Sequence, residues 1–123
     1  MAGNLIDNNS FGKVSISTQN KNKKTRVGGL VGRCNVAGLT FDNCAVSAKI
    51  GTTSDSVSEN NNVGMICGLV NQAVKSGTIY VYGTRTWKGT ETALTADNYM
   101  DYIDGSNNGK LNALTVVFEN KKQ

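Results

Sequence analysis

Apolar and polar residues alternate in Val14-Ser15-Ile16-Ser17, the period-two pattern of a half-buried β-strand. Thr78-Ile79-Tyr80-Val81-Tyr82 adds β-branched and aromatic residues that suit a pleated surface, and Leu114-Thr115-Val116-Val117-Phe118 predicts a last strand. The runs 27–31 and 63–70 are continuously apolar but carry Gly, which predicts strands covered on both faces or held in a tight interior. Stretches rich in Asn, Ser, Thr and Lys over 18–26, 51–62 and 83–93 are predicted loops. One helix is predicted, over 95–104, with Thr95 as N-cap, Tyr99 and Ile103 on one face and Gly105 as its end.

The strand pattern repeats. Val27-Gly28-Gly29-Leu30-Val31-Gly32 recurs 36 residues later as Val63-Gly64-Met65-Ile66-Cys67-Gly68. Ile6-Asp7-Asn8-Asn9-Ser10-Phe11 recurs at an offset of 35 as Phe41-Asp42-Asn43-Cys44-Ala45-Val46. A single strand-turn-strand unit cannot bury its own apolar face, and stacking similar units builds a continuous core with like residues in columns. The prediction is an all-β single domain, a β-solenoid of the parallel β-helix kind built from units of about 35 residues. Units are expected at 5–26, 27–62 and 63–93, with a C-terminal cap over 94–123. Gly28, Gly32, Gly64 and Gly68 are expected where backbones crowd together, and Asn8 over Asn43, or Asn9 over Cys44, as side-chain columns. A β-sandwich is the competing architecture, because strands about ten residues apart also suit it.

Composition narrows the chemistry. The 123 residues include 14 Gly, 16 Asn, 12 Thr and 9 Ser, with no Pro and no His. Every backbone N–H can therefore join a ladder, and no His nucleophile relay, His metal ligand or His proton shuttle exists. Net charge is +4, with Lys21, Lys23, Lys24 and Arg26 in one cluster and Lys121 and Lys122 at the end. The cluster lacks the aromatic residues a single-strand nucleic-acid binder stacks on, so it reads as a solvated loop or a polyanion contact, and no nucleic acid is expected. Cys34, Cys44 and Cys67 cannot all pair and contain no CxxC, so buried thiols are expected and one disulfide stays open. The longest apolar stretch, 63–74, is interrupted by Gly68, Asn71 and Gln72 and is too short to span a membrane. The opening Met1-Ala2-Gly3-Asn4 shows no signal peptide and reads as a start placed on a segment of a larger protein.

The Val27-Gly28-Gly29-Leu30-Val31-Gly32 string, followed by Leu39-Thr40-Phe41-Asp42-Asn43-Cys44-Ala45-Val46, resembles the GLUG-motif repeat family. The resemblance covers about residues 5–84, with Asn9 in place of the first unit's Cys and a blurred Met65-Ile66-Cys67 in the second Gly string. It implies a secreted or surface-anchored protein that uses its repeats as stalks, spacers or adhesive modules. It carries no catalytic residues.

Candidate chemistry is sparse. Gly28-Gly29-x-x-Gly32 lacks the dinucleotide spacing and any G-K-[ST], so no nucleotide cofactor is expected. Asp104-Gly105-Ser106-Asn107-Asn108-Gly109 partly matches the start of a calcium loop, with Asp104, Ser106 and Asn108 at alternate positions, but Thr115 stands where a bidentate Glu is needed. Asp97, Asp101 and Asp104 could supply paired carboxylates for glycoside hydrolysis. Tyr80, Tyr82, Trp87, Tyr99 and Tyr102 concentrate in one region beside Arg85 and Lys88, as stacking platforms for sugar or a protein partner, or as a cap on the stack. The expected function is a non-enzymatic extracellular or cell-surface structural and adhesive module, contacting carbohydrate or a surface protein and self-associating through solenoid ends. The alternative is a fragment of a carbohydrate-active β-helix enzyme.

Overall fold

The alternating segments pair side by side in parallel, each with the segment one repeat away. The computed structural model describes residues 4–121, so Met1-Ala2-Gly3 and Lys122-Gln123, the end of the predicted cap, lie outside the described residues. The strands are β1 (Asn4–Ile6), β2 (Asn9–Ile16), β3 (Lys24–Gly28), β4 (Val31–Cys34), β5 (Thr40–Thr52), β6 (Asn60–Gly64), β7 (Cys67–Val70), β8 (Ser76–Trp87), β9 (Thr90–Ala93) and β10 (Leu114–Phe118). They form a β-solenoid of about three turns, with one long and two short parallel sheets. The long sheet runs β1 and β2, then β5, β8 and β10; β3 pairs with β6 and β4 with β7. Apart from the antiparallel β8–β9 pair, every named strand pairing is parallel, which excludes the β-sandwich.

The register between the first two coils is 36 residues along all three sheets, for example Asn4 with Thr40, Val27 with Val63 and Val31 with Cys67. This corrects the expected 35-residue match of the Asp-Asn segments. Asp7, not Asn8, lies over Asn43, and Asn9 lies over Ala45 rather than Cys44. The physical reason is conformational: Asp7 and Asn43 both take positive φ, 54° each, and the Asn43 amide donates to the Asp7 carboxylate at 2.8 Å. Asx side chains tolerate that corner and bond locally within it. An amide ladder does form, but at Asn35 and Asn71, where the Asn71 amide donates to the Asn35 side-chain oxygen at 2.5 Å.

The third coil drops one residue at this corner. Phe41 still pairs with Gly77, but Cys44 pairs with Ile79, so Asp42 and Asn43 together oppose Thr78. From there the offset is 35 residues to Gly51 opposite Thr86. Between β8 and β10 the offset is 37, as in Leu114 with Gly77.

Inside the coils, Cys44, Val46, Ala48 and Ile50 of β5 meet Ile79 and Val81 of β8 and the Val27, Val63, Ile66, Cys67 and Val70 side chains of the short sheets. Burial of each such aliphatic side chain contributes roughly 1.5–3 kcal/mol. The three cysteines are free and buried, so no disulfide forms. Burial, with Cys34 and Asp104 nearby, drives the Cys67 thiol pKa far upward.

Several expectations fail locally. The predicted loops 18–26 and 51–62 give up residues 24–26 to β3, 51–52 to β5 and 60–62 to β6, because their polar residues still pair along the parallel ladders. The predicted loop at 83–93 is instead the end of β8, a tight turn and β9: Lys88 and Gly89 both hold positive φ, 48° and 84°, the type I′ pattern that matches strand twist. The predicted helix 95–104 is only a 3₁₀ turn over Tyr99–Tyr102. The Thr95 hydroxyl accepts from the N–H groups of Asp97 and Asn98, which fixes a turn before any α-helix can propagate. Downstream, Met65 and Ile66 donate to the carbonyls of Tyr102 and Ile103, so this segment continues the third coil along the short sheets.

Candidate functional site

Alternation along the long sheet decides what faces solvent. With Val46 and Ile50 turned inward and wholly buried, the outward positions form three rows. Asn9, Ala45 and Tyr80 make one row, Phe11, Ser47 and Tyr82 the next, and Lys13, Lys49 and Thr84 the third. The middle strand supplies small residues in two of these rows, and its neighbours supply aromatic ones. Strands about 4.8 Å apart place the Phe11 and Tyr82 walls roughly 10 Å from each other across a floor of Ala45 and Ser47. Phe11 is 43% exposed and Tyr82 42%.

The result is a shallow trough along the strands. One depression in it, of about 390 Å³, is lined by Asp7, Asn9, Phe11, Asn43, Ala45, Tyr80 and Lys121. A second depression of about 260 Å³ follows beside Ser47, Tyr82 and Asn120, and a third of about 300 Å³ beside Lys13, Lys49 and Glu91. The C-terminal segment lies across the sheet between the first two: the Lys121 N–H donates to the Ser47 hydroxyl at 3.0 Å. The Lys121 ammonium sits 4.4 Å from the Tyr80 ring centroid and pairs with Glu119 at 2.7 Å, and this bond to Glu119 raises the Lys121 pKa. Aromatic faces, amides, one carboxylate and one ammonium thus line a groove open to an extended ligand.

The aromatic residues singled out in the sequence do not form one cluster. Tyr80 and Tyr82 belong to the trough. Trp87 and Tyr102 flank Arg85, whose guanidinium carbon lies 5.4 and 5.5 Å from their ring centroids. Arg85 stands in the inward column next to Ile50 and donates from Nε to the Val63 carbonyl at 3.2 Å. Burial lowers its pKa, partly offset by Tyr102. Arg85, Trp87 and Tyr102 close the C-terminal end of the core. Tyr99 stacks on Phe118 at 5.6 Å and donates to the Val116 carbonyl, and Phe118 stacks on Tyr82 at 5.5 Å, holding that trough wall in place.

The calcium-loop residues have other work. Asp104 Oδ1 accepts from the Ser106 N–H and hydroxyl, the Ser106 hydroxyl accepts from the Val70 N–H, and the Asn108 amide donates to the Val70 carbonyl. These bonds stitch the third coil to the second. Among the described residues no group of three or more His, Cys, Asp or Glu could hold a metal ion. Asp97 and Asp101 are exposed while Asp104 is buried, so the three do not share a setting. Of the predicted glycines, Gly28, Gly64 and Gly68 are crowded: a Cβ there would stand 2.8 Å from Gly68 N, 2.5 Å from Gly105 N and 2.7 Å from the Gly32 oxygen respectively. Gly32 has room, its nearest neighbour being the Arg26 carbonyl at 3.4 Å.

Sequence reasoning missed Asp7, Asn9, Phe11 and Lys121 as trough residues. The coil register is the signal that finds the first three, because offsets of 36 and then 35 residues set Phe11, Ser47 and Tyr82 in one row. Compared with known proteins, the chain matches no family model, no curated protein and no solved structure. No helix among the described residues is long and apolar enough to cross a membrane.

Proposed function

We propose that this chain is a non-enzymatic structural and adhesive repeat module of the cell surface or extracellular space, and that it holds a linear glycan along the outer face of its long sheet. The observation that carries the reading is the trough: exposed aromatic walls over a floor of Ala45 and Ser47, with Asp7, Asn9 and Asn43 supplying hydrogen-bonding groups at one end. Aromatic faces stack on the apolar faces of sugar rings, and amides and carboxylates match hydroxyls. The depressions succeed one another along the strands from Asn9 to Ser15, roughly 20 Å at about 3.3 Å per residue, with the C-terminal segment crossing at Ser47, and such a row suits a chain rather than a single ring. Repeat proteins offer such extended surfaces because each coil adds one more row. The resemblance to GLUG repeats supports the same role and location.

Asp7 is the one carboxylate among the residues lining the 390 Å³ depression, whereas hydrolysis of a glycosidic bond needs an acid and a second carboxylate flanking it. The test is a glycan array probed with the chain, followed by incubation with each bound polysaccharide. Retention on linear polysaccharides, no release of reducing sugar, and loss of retention in Phe11→Ala and Tyr80→Ala support the reading. Absence of any retention, or retention indifferent to both substitutions, overturns it. Sugar release abolished by Asp97→Asn or Asp101→Asn establishes the enzyme alternative instead.

A further inference from the structure

Beyond Phe11 and Tyr82 the outer face of the long sheet carries charge. Lys13 and Lys49 stand directly opposite each other on β2 and β5, where like charges repel. They line the depression of about 300 Å³ together with one carboxylate, that of Glu91. Glu91 holds the Lys49 ammonium at 2.5 Å. Two ammonium groups thus share one carboxylate among the residues lining this depression.

The next row along the strands is Ser15, Gly51 and Thr86. Its middle position has no side chain, so the floor lies open between two hydroxyl-bearing neighbours roughly 10 Å apart. Thr86 is 8% exposed, and its Oγ1 is buried with no hydrogen-bond partner among the described residues. Buried hydroxyls in folded chains are nearly always partnered, so this one calls for an acceptor that the chain does not supply. Glu91 lies opposite Thr86 across the β8–β9 pair, which gathers the orphaned hydroxyl, the carboxylate and the two ammonium groups around one floor. That floor is built by β5, which is paired on both sides, and by β8 and β9, so its geometry is complete within the described residues.

Resting on the reading of the trough as a glycan site, we propose that this depression is a subsite for an oxyanion carried by the glycan, a carboxylate or a sulfate, and that the preferred ligand is an acidic polysaccharide. The anion lies between Lys13 and Lys49, takes the Lys49 ammonium from Glu91 and accepts from the Thr86 hydroxyl. Bonds to a charged acceptor are stronger than those between neutral groups. A neutral sugar hydroxyl could meet Thr86 but would leave the repulsion between the two ammonium groups as it was. Lys13 follows Phe11 by two residues on β2, roughly 7 Å, so a sugar stacked on Phe11 and an anionic neighbour over Lys13 belong to one chain.

The test uses the full chain and three probes with one backbone: a cello-oligosaccharide, the same oligomer with its primary hydroxyls oxidised to carboxylates, and the same oligomer sulfated at those hydroxyls. Titration calorimetry should show at least one acidic form binding about tenfold more tightly than the neutral one, the scale of one charge-assisted contact, and the tighter of the two names the anion. Thr86→Val should abolish most of that preference while leaving the neutral oligomer's affinity unchanged. Because the hydroxyl has no partner in the free chain, the urea midpoint of Thr86→Val should equal or exceed the parent's, which separates a binding role from a structural one. Lys13→Gln should also reduce the preference, and Lys23→Gln, the same charge change away from the depression, should not. Equal affinity for the three oligomers, each lost in Phe11→Ala, overturns the anion subsite and keeps the glycan trough. A preference for acid that is indifferent to Thr86→Val, or that falls equally in Lys13→Gln and Lys23→Gln, overturns the subsite in favour of simple polyanion attraction. Acid-selective binding that needs Thr86 and Lys13 but not Phe11 keeps the subsite and overturns the trough. Absence of binding to all three overturns both.

Discussion

At the scale of single residues, the glycines separate two kinds of constraint. A Cβ on Gly64 would overlap the Cys67 carbonyl and press on Gly105 N, and both are backbone atoms that cannot step aside. Gly12 has positive φ, 106°, but open space around it. Gly64→Ala is therefore expected to cost more than about 3 kcal/mol, and Gly12→Ala about 1 kcal/mol from backbone strain alone, in urea denaturation. Cys67 predicts a pH dependence. Its folded-state pKa lies above the ordinary thiol value of 9.0, chiefly because of burial. Below that value both states keep the proton. Above it the unfolded chain releases a proton that the folded chain retains, so stability falls as pH rises, by up to about 1.4 kcal/mol per pH unit. Cys67→Ala should remove that share of the slope between about pH 9 and 10.5, where unfolding curves of the two proteins can be compared directly. Gly28, Gly64 and Gly68 of the repeating string are legible in the sequence because close backbone packing admits no side chain there, whereas Gly32 has room and follows from no such constraint. The trough residues Asp7, Asn9 and Phe11 are not legible, because no local pattern distinguishes an outward Phe in an exposed strand from an inward one.

At the scale of elements, the strands of the first two coils follow from alternation and β-branched runs, and the misreadings fall where a turn decides the outcome. The Asp7 and Asn43 corners fix the register, and a 35-residue alignment of similar letters slides one residue away from it. Asn43→Val should cost about 2–3 kcal/mol, because a β-branched side chain resists positive φ. Asn43→Gly should cost about 1 kcal/mol, the amide bond to Asp7 alone, when both are measured by thermal or urea unfolding. The polar surroundings of Lys88-Gly89, Thr84, Arg85, Thr86 and Thr90, hide from the sequence pattern a hairpin whose strands are β-branched. Thr95 has the chemistry of a helix cap, but its hydroxyl closes a turn of its own.

At the scale of the molecule, the stack is graded. β5 is paired on both sides and its inward residues are sealed, whereas β2 is paired on one side and nearly all of it is exposed. Amide exchange in the free chain should be slowest in β5 and at least about a hundredfold faster in β2, since opening an edge strand breaks fewer contacts than opening the centre. The charge is graded too, with the positive excess confined to the first coil. The whole account stands on successive coils lying side by side, the first two in a 36-residue register. The most direct check is the double variant Lys13→Cys/Lys49→Cys, whose positions face outward on paired strands and whose thiols are separate from the buried native cysteines. Parallel strands about 4.8 Å apart lie within disulfide range. Mild oxidation of the folded monomer should give an intramolecular bridge, read as a two-hydrogen mass loss and one linked peptide pair. Failure of that pair to bridge, with Ser15→Cys/Lys49→Cys bridging in its place, would contradict the register and the stack built on it.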